Sequence, residues 1–243
     1  MSTTYILLNS ADPSVLKDSS PGDYTVQLGR THTFAKDSES FLSEAVIPFT
    51  WYNITHKNNK LIVMSATGGA TTLELPLAYY ESISILVKGV NAALKAASLS
   101  SIKISADERT MKVTIDSGSS TVQGPLLRMM GWPKKATIKG KVIAPKMADI
   151  TGGNNSIYVL VDCVNETTAG SFSIQLLKKL EVGREDRPGD LMHYRAHNPV
   201  EVHRLSQSNL MHIGVTIKNS HNEVIDFNGF STNLTLGIRP IKS

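Results

Sequence analysis

Apolar and polar residues alternate with a period of two through most of this chain, the pattern of strands that bury one face. The tail is the clearest case: Leu234, Leu236 and Ile238 alternate with Thr235, Gly237 and Arg239. Residues 5–8 and 24–28 read as short strands joined by a turn-rich connection, and residues 61–64 and 72–75 as two more around Gly68-Gly69. Residues 157–164 are apolar on both faces apart from Asp162, which predicts a central strand. Phe172, Ile174 and Leu176 alternate up to Leu177, and the charged stretch 182–190, with Pro188, predicts a surface loop. Met211, Ile213, Val215 and Ile217 form one face of a long strand, followed by a turn over 219–222 and a short strand over 224–227. The segment FLSEAVIPFTWYNI, residues 41–54, reads as a strand that reaches Pro48 and resumes through Phe49, Trp51 and Tyr52. Apolar side chains on both of its faces predict burial on both sides.

In the middle of the chain the period changes. Leu86, Val90, Ala93, Leu94 and Ala97 follow helical spacing, with Ser82 placed as N-cap. Gly89 weakens this helix by about 1 kcal/mol relative to alanine, so tertiary packing must hold it. Ile102 and Ile104 lead into a polar turn at Asp107-Glu108-Arg109, and Met111, Val113 and Ile115 return as a hairpin. A second short helix is predicted over 122–130, ended by Gly131-Trp132-Pro133. Strands resume at Ala136, Ile138 and Val142, which alternate with Thr137, Lys139 and Lys141. The expectation is a mainly β chain, a sandwich or jelly roll built from residues 1–58 and 136–243, carrying an inserted β-α-β-β-α subdomain over 59–135.

Composition sets limits on this picture. With 243 residues, 41% hydrophobic and 19% charged, the chain can bury a real core and disorder is not expected. A net charge of +4 permits an acidic partner but falls short of a dedicated nucleic-acid binder. Cys163 is the only cysteine, so no intrachain disulfide forms and a reducing compartment suits folding. The opening MSTTYILLNS lacks the basic start and apolar stretch of a signal peptide, and no run reaches the roughly 18 apolar residues of a membrane helix. These features predict a soluble chain made inside a cell. The sequons at Asn53, Asn154, Asn165 and Asn233 then read as chance in an Asn- and Thr-rich sequence.

Candidate chemistry is sparse. His193 and His197 have the spacing of a helical zinc pair, with His203 nearby, but Pro188, Gly189 and Pro199 argue against a helix and no glutamate follows the first histidine. Surface or subunit-contact histidines are the simpler reading. Cys163 sits among apolar neighbours, where a thiol behaves as a small hydrophobe. No nucleophile-elbow glycine pattern accompanies any serine, and Gly68-Gly69 and Gly152-Gly153 lack the lysine of a phosphate loop. Catalytic, cofactor and metal residues are therefore all expected to be absent, and the chain is not expected to be an enzyme. The acid-free run Lys134, Lys135, Lys139, Lys141 and Lys146 suits a packaged genome or an acidic neighbour, against the plainer reading of a solvated strand that deters edge pairing. Phe49, Trp51 and Tyr52 suit sugar stacking, which gives the alternative function of a lectin-like or receptor-binding adhesion module. The plainer reading is that they plug the end of the sandwich.

Several stretches together resemble one family. YILLNS, DYTVQL and SEAVIPFTWYNI resemble the start of penton proteins from virophages and polinton-like (adintovirus-like) viruses. The middle resembles the family's helix, hairpin and short second helix through Tyr79-Tyr80-Glu81-Ser82-Ile83, Leu86-Val87, Asn91, Ala93-Leu94 and then Leu126-Leu127-Arg128-Met129-Met130-Gly131-Trp132. The end does so through IYVLVDCV at 157–164, the stretch from His197 to Leu205, and the closure from Val224 to LTLGIRPI. Each motif alone is a packing pattern, but their order and spacing run through nearly the whole chain. The resemblance implies a single jelly roll with a small insertion, five copies of which close an icosahedral vertex among double-jelly-roll major capsid proteins. It implies a virion location after synthesis in the host cytoplasm, and a homopentamer bordered by the major capsid protein. Minor or cement proteins, and a host receptor for the insertion, are partners it leaves open. It brings no catalytic residue, no membrane span and no specific nucleic-acid binding.

Overall fold

The computed structural model describes residues 2–12, 14–16, 19–169, 172–183, 185–197 and 200–241. Pro199, used above against a histidine helix, and the side chain of Phe172 lie outside the described set. In chain order the strands are β1 (Thr4–Asn9), β2 (Asp23–Thr33), β3 (Ser38–Pro48), β4 (Lys60–Met64), β5 (Ala70–Glu74), β6 (Lys103–Asp107), β7 (Lys112–Gln123) and β8 (Thr137–Ile143). They continue as β9 (Ser156–Val161), β10 (Thr167–Ala169), β11 (Phe172–Ile174), β12 (Leu176–Glu181), β13 (Leu191–Arg195), β14 (His203–Arg204), β15 (Asn209–Asn219) and β16 (Asn233–Pro240). The helix α1 spans Ile83–Ala96. The chain divides into two compact units, Met1–Trp51 with Asn154–Ser243, and Tyr52–Gly153.

In the first unit one sheet runs β1-β16-β3-β13, with β14 also paired to β3, and the other runs β12-β9-β15-β2. Taking the main strands in chain order, the sheets read first-eighth-third-sixth and fifth-fourth-seventh-second. That order is a jelly roll, whose successive strands mostly cross between two sheets. The period-two pattern explains which faces meet. Leu234, Leu236 and Ile238 are all buried, and Leu236 lies beside Ile6 on β1 and Leu42 on β3. The pairing also resolves the N-terminal strand: Ile6 and Leu8 point inward, whereas Tyr5 and Leu7 are 60% and 66% exposed. In the opposite sheet Val26, Tyr24, Val159, Val161, Ile213, Val215 and Ile217 are buried, and β9 is central between β12 and β15.

On the outer side of the first sheet, Gly237 sits between Tyr5 and Phe41 in register. The Phe41 ring lies across the space a Cβ would fill, 2.4 Å from its Cζ. Arg239 holds its guanidinium 5.4 Å from that ring and pairs with Glu39 at 2.7 Å. Phe41 is thus buried although it faces outward, and Leu42 is buried on the other side. The expectation that segment 41–54 buries both faces thus holds at Phe41 and Leu42 but not at Tyr52, which is 39% exposed.

The second unit is one antiparallel sheet, β5-β4-β7-β6, with β8 along the remaining side of β7. The apolar stripe Leu86, Val90 and Leu94 of α1 joins Leu61, Val63, Val113, Ile115 and Val122 in one buried cluster. The helix begins where Ser82 Oγ accepts from the Ile85 amide at 3.2 Å. Gly89 has a packing reason: the Tyr80 ring comes within 3.2 Å of where a Cβ would stand. Asn91 fastens the helix to β6, donating to the Ile104 carbonyl at 2.7 Å and accepting from its amide at 3.2 Å. Asn53, buried, clamps the ends of this unit. Its Nδ2 donates to the carbonyls of Tyr80 (2.9 Å) and Ile150 (2.7 Å), and its Oδ1 accepts from the Tyr80 amide at 2.8 Å.

Four local readings change. The strand at 137–143 does not return to the jelly roll but pairs with β7, so this unit spans Tyr52–Gly153 rather than 59–135. Alternation reports a strand's faces and carries no information about its partner. The helix expected over 122–130 is instead the end of β7 followed by a 3-10 turn at Pro125–Arg128, because Gly124, at φ +132, breaks the chain direction ahead of Pro125. Gly131 does take the left-handed conformation, at φ +95. A register irregularity between Leu210 and His212 puts Leu210 inside and leaves Met211 60% exposed, since a break in the ladder lets the phase of alternation reverse. Finally, segment 224–227 makes a single bridge, Lys218 to Val224, in place of a strand.

Candidate functional site

The residues singled out by sequence do not converge. His193 on β13 pairs with Val46, and His203 on β14 pairs with Ser40. Those partners lie six positions apart on β3, roughly 20 Å at the rise of a strand, so the two histidines share no ion. His197, past the end of β13, is exposed. Among the described residues no group of three or more His, Cys, Asp or Glu is placed to hold a metal. Cys163 is fully buried, and burial, then the nearby Asp162 charge, push its thiol up to about 12. At neutral pH it is protonated and packed, which is the opposite of an activated nucleophile.

Two of the three aromatics, Phe49 and Trp51, also point inward, whereas Tyr52 is 39% exposed. Phe49 and Trp51 stack at 4.3 Å between centroids, and Trp51 meets Phe227 edge-on at 5.9 Å. Both are 2% exposed. The loop that brings Phe227 is fixed by Thr50, whose Oγ1 donates to the Phe227 carbonyl at 2.7 Å, and by Asn228, whose side chain donates to the Thr50 carbonyl. A ring with no exposed face cannot stack on a sugar, so the lectin-like alternative loses Phe49 and Trp51 and keeps Tyr52 alone of its three aromatics. Asn53 is likewise spent on three hydrogen bonds and is no glycosylation acceptor.

What the first unit does offer is a structured flank where both sheets end. A cavity of about 240 Å³ opens there among β3, β12 and β13, lined by Ala45, Ile47, Leu180 and Met192 together with Glu181 and His193. Beside it Lys178 of β12 reaches Glu201 at 2.7 Å and lies 5.7 Å from the Tyr194 ring. The Glu201 carboxylate holds the Lys178 ammonium above its ordinary range. His203 Nε2 is 3.7 Å from the other Glu201 oxygen. One ion pair therefore joins β12 of one sheet to the segment entering β14 of the other. On the opposite flank β1 ends its sheet with the exposed Tyr5 and Leu7. Of these strands the sequence pattern announced β1 and β3 but not β13 or β14, and it gave no sign of the cavity or the Lys178–Glu201 pair. Residues 178 and 201 are distant in the chain, and neither stands in a motif.

No family model matches the chain and no curated protein matches it. Among solved structures, the chain is similar to the selenomethionine-labelled mavirus penton protein over 98% of its own length and 100% of the other, at 10% sequence identity and a TM-score of 0.49.

Proposed function

We propose that this chain is a structural capsid protein, the penton that closes the fivefold vertices of an icosahedral double-stranded DNA virus. The observation that carries the reading is the jelly-roll strand order, in which β1, β2, β3, β9 and β16 are also the strands that hold penton-like motifs. A run of exposed hydrophobics on β1 and a cavity beside β13 give the two flanks different surfaces. Different flanks are what a head-to-tail ring requires, because each copy presents one surface to the next and the ring closes when the rotation permits. The function is geometric and uses no enzymatic residue. The major capsid protein borders the ring, and the protein resides in the virion. The unit Tyr52–Gly153 acts as a separable insertion, and deleting it with a short linker leaves the jelly roll folded.

Electron microscopy of the purified full-length protein and of virions tests this reading. Rings of five, and density of this chain at vertices, are expected. A protein that stays monomeric and is absent from vertices refutes it.

A further inference from the structure

The second unit carries an exposed surface that is both basic and apolar. Lys134, Lys135, Lys139, Lys141 and Lys146 are all exposed, and no acidic residue lies between positions 134 and 146. Among the described residues none of these lysines forms an ion pair. Even Lys141, directly across from Asp116 on β7, makes none. Three apolar side chains are exposed with them: Val142 (37%), Ile143 (61%) and Met147 (60%). Lys139, Lys141, Val142 and Ile143 sit on β8, which pairs with β7 and with no other described strand, so its second edge is free.

Lysines on a free edge ordinarily deter pairing. Deterrence explains the charges and leaves the exposed Ile143 and Met147 without a reason, because apolar surface beside a free edge invites association. Gly140, at φ +72, bends the strand, and Lys141–Ile143 beyond it continues as paired strand against β7. Lys139, Lys141 and Ile143 alternate onto one face, with Val142 on the other. An extended segment added alongside would meet cation, cation and apolar in succession on that face.

We propose that the free edge of β8 takes up an extended, acidic and apolar segment of another protein, paired through its backbone with the half of the strand beyond Gly140. Its carboxylates meet Lys139 and Lys141, and its apolar side chains cover Ile143 and Met147. Strand addition of this kind draws affinity from main-chain hydrogen bonds and specificity from alternate side chains. The charge points to an acidic partner. The chemistry favours a peptide over nucleic acid: residues 133–147 contain no aromatic for base stacking and Trp132 is buried.

The test uses the full-length protein and a fluorescent peptide of about eight residues alternating glutamate and valine, a typical strand length or slightly more. Saturable binding is expected, with amide shift changes confined to residues 137–147 and no binding of a lysine–valine peptide. The double variant Lys139→Glu with Lys141→Glu should weaken binding by roughly tenfold or more, about 1.4 kcal/mol or more. Ile143→Ser, a charge-neutral change at an exposed position, should weaken it several-fold while melting like the parent. Failure of the acidic peptide to bind, or shifts elsewhere, overturns the proposal. So does tighter, lysine-dependent binding of oligothymidylate or of phosphatidylserine vesicles, which would make the surface a nucleic-acid or membrane site.

Discussion

Gly237 offers the sharpest test of how the outer face of the first sheet is built. It is flanked in register by Tyr5 and Phe41, and a Cβ there would stand 2.4 Å from Phe41 Cζ and 2.8 Å from both Cε atoms. No real Cβ contact is that short, so in Gly237→Ala the ring must leave its place. Displacing it exposes a buried phenylalanine, worth about 1.5–3 kcal/mol, and loosens the Arg239 contact, worth about 0.5–1 kcal/mol at such a site. Against this, alanine regains about 0.5–1 kcal/mol of the glycine's conformational entropy. The net expectation is destabilisation by about 1–3 kcal/mol. The sign should reverse once the ring is gone. In a Phe41→Ala background nothing opposes the new methyl, and Gly237→Ala should stabilise by about 0.5–1 kcal/mol. Urea denaturation of the four proteins of this double-mutant cycle measures both numbers, and their difference is the coupling. Equal destabilisation in both backgrounds would mean that the cost lies in the strand backbone, and the ring-over-glycine account would be refuted.

Leu236→Ala, which empties a fully buried site between Ile6 and Leu42, should cost about 2–5 kcal/mol, whereas Thr235→Ala on the opposite face should cost less than about 1 kcal/mol, both read from thermal melts. Asn53→Ala strands the Tyr80 amide and the Tyr80 and Ile150 carbonyls, and should lower stability by about 3 kcal/mol or more in denaturant titrations. Equal stability would show that water replaces the side chain. Burial raises the Asp162 carboxyl above 3.8, so the folded chain holds a proton that the unfolded chain has released. Stability from this group therefore falls as pH rises from 3.8 through the raised value. Asp162→Asn should then gain stability at pH 7 relative to parent and lose that advantage below pH 3.8, and a gain that is independent of pH would contradict the sign.

Local sequence determined most of the elements, because alternation and helical spacing record which side chains must be covered. Leu234, Leu236 and Ile238 announced a buried strand, and Ser82 with the stripe Leu86, Val90 and Leu94 announced α1 with its cap. Tertiary structure decided what those patterns are silent on. Whether Tyr5 and Leu7 or Ile6 and Leu8 faced inward depended on pairing with β16, and the phase of β15 depended on an irregularity at Leu210–His212 that no periodicity displays. The strand at 137–143 had the right pattern and the wrong presumed partner, since hydrogen-bonding groups of the backbone are identical in every residue and do not name a neighbour. Side-chain chemistry behaved the same way. The histidine spacing and the aromatic cluster were visible in the sequence, but only the fold set His193 and His203 far apart along β3 and turned Phe49 and Trp51 inward. The Lys178–Glu201 pair and the cavity beside it were invisible beforehand for the same reason: each is made by segments distant in the chain, brought together by the crossing of strands between two sheets.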